Sequence, residues 1–374
     1  MEFYRNKKVK LSVSDLICFV YFVSFAILET TPIRSFVMTM VCMIMGGAGL
    51  VYTIYPKVKK IHIFQLIFLF SLYVIGVGCN IFTENRNVVQ LSYPFLFAGI
   101  GFLVFSHKIK SRTYFILYML SFVLYILNYW LGGVGRDIIL GQGHVSIDIY
   151  FLIIYVFMTV EKIEEGRSIS IWDCLPGFFA SVTDAKRMGM IVWGGIVIIN
   201  LFFLFGKNEV KIRKTGIVYI TFVIGVVWLA LEYTTLFEQV IYRFILDGVS
   251  VEGFTASRAV IWEQYINATQ EWEIITGVPI DMVPYLVHYK GNCHNLLFQC
   301  HMIYGLLGIM VFLFMIYIVC KNNIKNKRFY LMFLFLILIA RSVSDYVVLG
   351  NYGDAALFYI MLFSTNQQLV RRQC

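Results

Sequence analysis

The stretch SISIWDCLPGFFASVTDA, residues 168–185, decides how this chain folds. Its centre is apolar enough to be a membrane span, yet Asp173, Pro176 and Asp184 interrupt it. Whether it crosses sets the side on which every later loop lies. The flanking sequence is plainer. Apolar runs occupy about 15–33, 35–55, 61–79, 88–106, 112–131 and 146–161 before it, and about 189–206, 214–232, 294–320, 329–349 and 354–370 after it. A hydrocarbon core about 30 Å thick needs roughly 20 such residues per helix. The chain has 374 residues, 59% hydrophobic and only 14% charged, and no soluble core can cover that many runs. The expectation is an all-α polytopic membrane protein, with residues 1–374 forming one membrane-embedded domain.

Basic residues choose between the two parities, because cytoplasmic loops carry an excess of Lys and Arg. If 168–185 crosses, the loops on the side of the N-terminus hold 22 of the 31 Lys and Arg residues. If it does not, the early and late basic clusters fall on opposite sides. Crossing is therefore expected, giving about twelve spans with both termini cytoplasmic. A span bearing Pro and Asp is acceptable where other helices or a cavity surround it. The basic start, Met1 to Lys10, and the apolar run after it read as a signal anchor. The net charge of +9 lies in short clusters between spans, which argues against a nucleic-acid partner. The eight cysteines form no CxxC pair and read as small apolar fillers.

This topology turns residues 233–293 outward as one long extracytoplasmic loop. Within it Thr255 or Ser257 is a suitable N-cap. Ile261, Tyr265, Ala268 and Trp272 follow at helical spacing, through to about Ile275. Thr276-Gly277-Val278-Pro279 then stops the helix. An amphipathic helix lying on the outer membrane surface is expected. Arg258 falls in its predicted first turn, where a cation opposes the helix dipole but suits an anionic ligand.

Further polar groups collect at the same face. Gly132 to Asp137 and Gly141 to Ser146 include Arg136 and His144, in glycine-rich sequence that serves equally as a connector or as a close-approaching ligand loop. Lys186 and Arg187 open the span after 168–185; such residues snorkel to headgroups or meet an anion. His294 and Asn295 precede the span at 294–320, and His294 is the side chain best suited to exchange a proton near neutral pH. Arg341 and Asp345 form an i, i+4 pair in the penultimate span, either structural or functional. The spacing of His288, His294 and His301 matches no standard ligand set, so no metal site is expected.

The order of these elements resembles the O-antigen ligase and polymerase superfamily, which includes capsular repeat-unit polymerases. An Arg-x-x-x-Trp helix (Arg258, Trp262) opens the centre of the loop, and His294-Asn295 closes it before a span containing Gly305 and Gly308. Asp184-Ala185-Lys186-Arg187-Met188-Gly189 is similar to the family's Ser-Arg-Gly-type motif. Gly141-Gln142-Gly143-His144-Val145-Ser146 is similar to its Gly-x-x-His-Pro-Asn-type motif, with Val145-Ser146 departing from it. The resemblance covers about residues 136–310. It implies a multi-pass protein of the bacterial cytoplasmic membrane that transfers a glycan from an undecaprenyl-diphosphate carrier to a sugar hydroxyl outside the membrane. No cofactor or metal is implied. The partners implied are membrane lipids, the lipid-linked glycan, a chain-length regulator and a flippase.

The residue types suit that chemistry in their own right. A lipid diphosphate leaves as the glycosidic bond breaks, so cations are needed where negative charge develops. Arg258 and Arg187 are the candidates, supported by Lys186 and Arg136, with Trp262 and Asn295 beside them. His294 is the candidate base for the acceptor hydroxyl. His144, Arg341 and Asp345 complete the set. A polymerase is favoured over a ligase, and a lipid-linked oligosaccharide flippase is the main rival of another class.

Overall fold

A computed structural model describes residues 12–30, 36–55, 62–85, 88–128, 147–183, 187–205, 251–288 and 291–366. The described residues are helical and contain no strand. Before the insertion formed by residues 233–293 lie α1 (Val13–Thr30), α2 (Phe36–Ile54), α3 (Ile63–Thr83), α4 (Val88–Leu91), α5 (Tyr93–His107), α6 (Ser111–Ile126), α7 (Ile147–Glu164), α8 (Leu175–Thr183) and α9 (Arg187–Phe205). The insertion contributes α10 (Val251–Ala268), α11 (Glu273–Thr276) and α12 (Pro284–His288). The chain then forms α13 (Leu296–Lys325), α14 (Phe329–Ser344) and α15 (Gly353–Thr365). The spans expected at 214–232 and the glycine-rich loop at 132–146 lie outside the described residues.

Two helices form the axis of the bundle. In α7 every residue from Ile147 to Glu161 is buried, and in α15 every residue from Gly353 to Ser364. Both are apolar all round, the pattern of a helix enclosed by other helices. They meet through stacked aromatics, with the Phe157 and Tyr359 rings 4.6 Å apart. The outer helices do the opposite and leave large apolar side chains uncovered. Examples are Phe36 and Val51 on α2, Phe70 and Ile81 on α3, and Met310 and Phe314 on α13. Among the described residues, four helical stretches are long and apolar enough to cross a membrane: Phe36–Ile54, Ile63–Thr83, Val89–His107 and Leu296–Lys325. An apolar exterior over an apolar interior, with spans of this length, is compatible with an all-α membrane protein.

Charged side chains concentrate at the two ends of α7. At its C-terminal end Lys162 pairs with Asp173 at 2.6 Å and Glu164 with Lys108 at 3.4 Å. Glu165 there caps α6, accepting from the Ser111 amide at 2.9 Å and hydroxyl at 2.6 Å. At the N-terminal end Asp148 meets Arg341.

The decisive stretch links these ends. It begins as a 3₁₀ turn, Ile171–Cys174, whose capping box uses Ser170 and Asp173. Asp173 is therefore consumed locally, by Ser170 and by Lys162. Pro176 falls in the first turn of α8, where a missing N–H costs nothing. The chain then reaches Gly189 in α9, whose Cα faces Asp148. Asp173 thus lies beside Lys162 and Gly189 beside Asp148, positions fourteen residues apart on α7, or about 21 Å at 1.5 Å each.

The insertion departs from expectation in two ways. Its helix is already formed at Val251, ahead of Thr255 and Ser257, so Arg258 sits in the interior of α10 rather than in a first turn. The helix also ends at Ala268, and the chain turns before the short α11. The stripe faces protein: Ile261 and Tyr265 are buried, whereas Trp272 in the turn is 71% exposed. The stop at Gly277 is as the sequence indicates, with φ at +90°.

What holds the insertion is a break in α13. Gly305 has φ +59° and ψ −166°, inside an otherwise continuous helix. The Ile275 carbonyl enters the gap so closely that a Cβ on Gly305 would lie 2.0 Å from it. Buried Asn85 and Tyr265 and half-buried His301 clamp the same region. Asn85, just past α3, donates to the Val278 and Met302 carbonyls and accepts from the Ile280 amide. His301 Nε2 donates to the Ile274 carbonyl at 2.9 Å, leaving Nδ1 to accept from the Tyr265 hydroxyl at 2.8 Å. His301 is thereby committed to structure.

Candidate functional site

The starts of α7, α9 and α13 and the end of α14 meet beside the interior of α10, and the candidate residues that the structure describes gather there. His294 lies just before Asn295, the N-cap of α13. Its backbone is left-handed, φ +48°, a conformation that His tolerates better than most non-glycine residues. Side chains fix this turn from several directions. The Asn292 side chain accepts from the His294 amide at 2.8 Å. Buried Gln299 accepts from the Cys293 amide and donates to the Gly291 carbonyl. Trp262 of α10 donates its indole N–H to the Cys293 carbonyl at 3.0 Å. Asn295 caps α13, accepting from the Leu297 and Phe298 amides at 2.8 and 3.3 Å. The imidazole of His294 is thus carried on a rigid corner, one residue from a helix start.

Its ring faces a carboxylate. His294 Nδ1 lies 3.5 Å from Asp345 Oδ1, within ion-pair range but longer than a formed hydrogen bond. Asp345 follows α14 in an extended conformation, so it points away from the helix that precedes it. Arg341, one turn earlier, places Nη2 3.9 Å from Asp345 Oδ2. Arg341 is held more tightly by Asp148, with Nε 2.8 Å from Oδ2 and Nη2 3.4 Å from Oδ1. The i, i+4 pair read from sequence is real, but it is the weaker half of a three-residue arrangement.

Arg258 arrives from α10 and donates from Nη1 to the Ser344 carbonyl at 2.8 Å. That contact sets its guanidinium beside Asp345, on which Arg258, Arg341 and His294 all act electrostatically. Arg258 and His294, separated by 36 positions in sequence, therefore share one neighbour. Trp262 completes the wall, its ring 6.0 Å from that of Phe298.

Arg187 opens α9 two residues before Gly189, which faces Asp148, so the backbone at Arg187 belongs to the same end of the bundle. Its side chain, together with Lys186, Arg136 and His144, lies outside the described residues. His288 is exposed at the end of α12.

Asp148 is the residue that sequence reading passed over. It lies in an apolar run and is fully buried, and an ionisable side chain inside a span is a functional signal in its own right. Gln299 left no comparable signal, since its role depends on a turn visible only in three dimensions.

Chemically, the arrangement places a titratable imidazole between a carboxylate and the exterior, with one guanidinium alongside and a second behind. A carboxylate on Nδ1 orients the ring and favours the tautomer whose Nε2 lone pair can accept a proton. The two Arg and two Asp balance in formal charge, so an added anion would be met by Arg258 and the partial positive helix starts. Among the described residues no group of three His, Cys, Asp or Glu side chains is arranged to hold a metal. No family model, curated protein or solved structure matches the chain.

Proposed function

We propose that this protein is a polyprenyl-diphosphate-dependent glycosyltransferase of the O-antigen ligase and polymerase type, joining surface-polysaccharide repeat units outside the cytoplasmic membrane. The observation that carries the reading is the meeting of Arg258 and His294 at Ser344-Asp345. These two residues were selected from sequence for complementary tasks. In the reaction, His294 Nε2 takes the proton of the acceptor sugar hydroxyl as its oxygen attacks the anomeric carbon. The bond from that carbon to the diphosphate oxygen breaks, and undecaprenyl diphosphate leaves with both electrons. Arg258 meets the charge that develops on it, with Arg187, Lys186 and Arg136 as further cations. One displacement inverts the anomeric centre, and neither a metal nor a covalent intermediate is required.

The twelve-span topology, with cytoplasmic termini and an outward loop at 233–293, belongs to the same proposal. The placement of Asp173 and Gly189 at opposite ends of α7 supports counting the stretch at 168–185 as a crossing. Arg258 and His294 lie toward the Asp148 end of α7, and Lys108 and Arg167 toward its other end, which supports an outward-facing site. A transporter site is expected near the midplane between repeats, whereas these groups gather at one end.

The test is to replace Arg258 or His294 with Ala in the host and analyse its lipid-linked glycans. Single repeat units accumulating on the outer face support polymerisation. Units retained inside indicate a flippase, and long lipid-linked chains without attachment indicate a ligase. Normal polymer would overturn a catalytic role for either residue.

A further inference from the structure

Among the described ion pairs, Arg341 and Asp148 are the most completely enclosed, with side chains 2% and 0% exposed. A bare counter-ion would need only proximity, but this pair is oriented. Two points of the guanidinium fork address one carboxylate, at 2.8 and 3.4 Å. The remaining nitrogen, Nη1, donates to Ser344 Oγ at 3.1 Å, on the residue before Asp345. Asp148 is itself fixed. The Trp193 indole donates to its backbone carbonyl at 3.3 Å, and Gly189 makes room for its side chain, since a Cβ there would lie 2.9 Å from Oδ2.

We infer that Asp148 and Arg341 are positioning residues. Asp148 holds the Arg341 plane, and Arg341, together with the Tyr346 amide that donates to Asp345 Oδ1 at 3.1 Å, holds the Asp345 carboxylate turned toward His294, so that the imidazole keeps its proton on Nδ1. This rests on the proposed role of His294 as the base. Neither residue touches substrate in that scheme. The 3.9 Å gap between Arg341 Nη2 and Asp345 Oδ2 is the informative distance. It is open because Asp148 claims the guanidinium. Without Asp148, the gap closes into a direct pair and draws the carboxylate off the ring. The imidazole proton can then sit on Nε2, the nitrogen needed as acceptor.

The experiment reads the tautomer, not the activity. Full-length protein labelled with ¹⁵N-histidine is placed in lipid nanodiscs and studied by solid-state NMR at alkaline pH. His294 is assigned by the signal lost in His294→Gln. The wild type should show the Nδ1–H form, and Asp148→Asn should lower the ratio of Nδ1–H to Nε2–H about threefold, the low end of a hydrogen bond's net worth for a contact as open as 3.5 Å. Arg341→Lys keeps a cation opposite Asp148, so the fold is retained, but it lacks the planar fork and should produce the same fall. A wild-type tautomer in both variants overturns the inference, whatever the polymer phenotype. A shifted tautomer alongside normal polymer in His294→Ala would keep the positioning and discard the catalytic reading instead.

Discussion

Replacing Gly305 with Ala should undock the insertion from the bundle. The added Cβ would lie 2.0 Å from the Ile275 carbonyl oxygen and 3.1 Å from Cys79 Sγ. Cβ atoms essentially never approach within 3.0 Å, so α11 must retreat by at least the 1.0 Å difference. The backbone angles, φ +59° and ψ −166°, belong to a region reserved for glycine and cost another residue about 1–3 kcal/mol. Retreat of Ile275 also strains the adjoining bond from His301 to the Ile274 carbonyl, worth about 1 kcal/mol. The sum is roughly 2–4 kcal/mol, and at 1.4 kcal/mol per decade that is about 30- to 1000-fold in the local opening equilibrium. Hydrogen exchange read by mass spectrometry over residues 270–280 should lose protection by that factor. Gly78→Ala is the matched control, because a Cβ at that helical position meets nothing within 4 Å. Unchanged protection in Gly305→Ala would refute the docking of α11 into the break.

Three other outcomes follow from the same contacts. Asn85→Ala leaves the Val278 and Met302 carbonyls and the Ile280 amide without their partner, and should cost about 2–4 kcal/mol in detergent unfolding; Asn85→Asp should cost nearly as much, since an ionised carboxylate cannot donate. Arg341→Met strips the buried Asp148 of its cation and should destabilise by about 3–5 kcal/mol, while adding Asp148→Asn to it should recover most of the loss in the same thermal melts. Glu165 carries the pH dependence at the opposite end: burial raises its carboxyl pKa, but the Ser111 hydroxyl and amide, with Arg167 and Lys110, outweigh this and hold it below its ordinary value. Its capping of α6 is therefore complete above about pH 4.3, the unfolded value, and is lost as pH falls through the lower folded value. Protection of the Ser111 amide, corrected for intrinsic exchange, should stay flat from neutral pH downward and drop only in acid; in Glu165→Gln it should be low throughout, with no acid step.

Much of this architecture was legible because lipid-crossing helices announce themselves in hydropathy. The runs at 35–55, 61–79, 88–106 and 294–320 correspond to the four long apolar helices. The break inside α13 was not legible, since Gly305 lies within an unbroken apolar run and glycine alone does not distinguish a kink from close packing. The conformation there is set by Ile275, 30 residues earlier in the chain. The predicted N-cap at Thr255 or Ser257 failed for a related reason: local capping preference is weak beside helix propagation from Val251. Arg258 and His294 were chosen by side-chain chemistry, and the structure brings them to one carboxylate even though the helix-start argument for Arg258 does not hold. Asp148 was passed over because its neighbours are so apolar that the residue reads as an interruption rather than a partner.

The most direct test of the central claim uses purified protein in nanodiscs with an undecaprenyl-diphosphate-linked repeat unit as sole substrate and EDTA present. Product glycan and released undecaprenyl diphosphate are measured together. The account predicts that the wild type forms linked repeat units with one carrier released per linkage, and that His294→Ala slows this by about 10²–10⁴-fold, the usual contribution of a general base. Equal rates in the wild type and His294→Ala, or no release of carrier by the wild type, would contradict it.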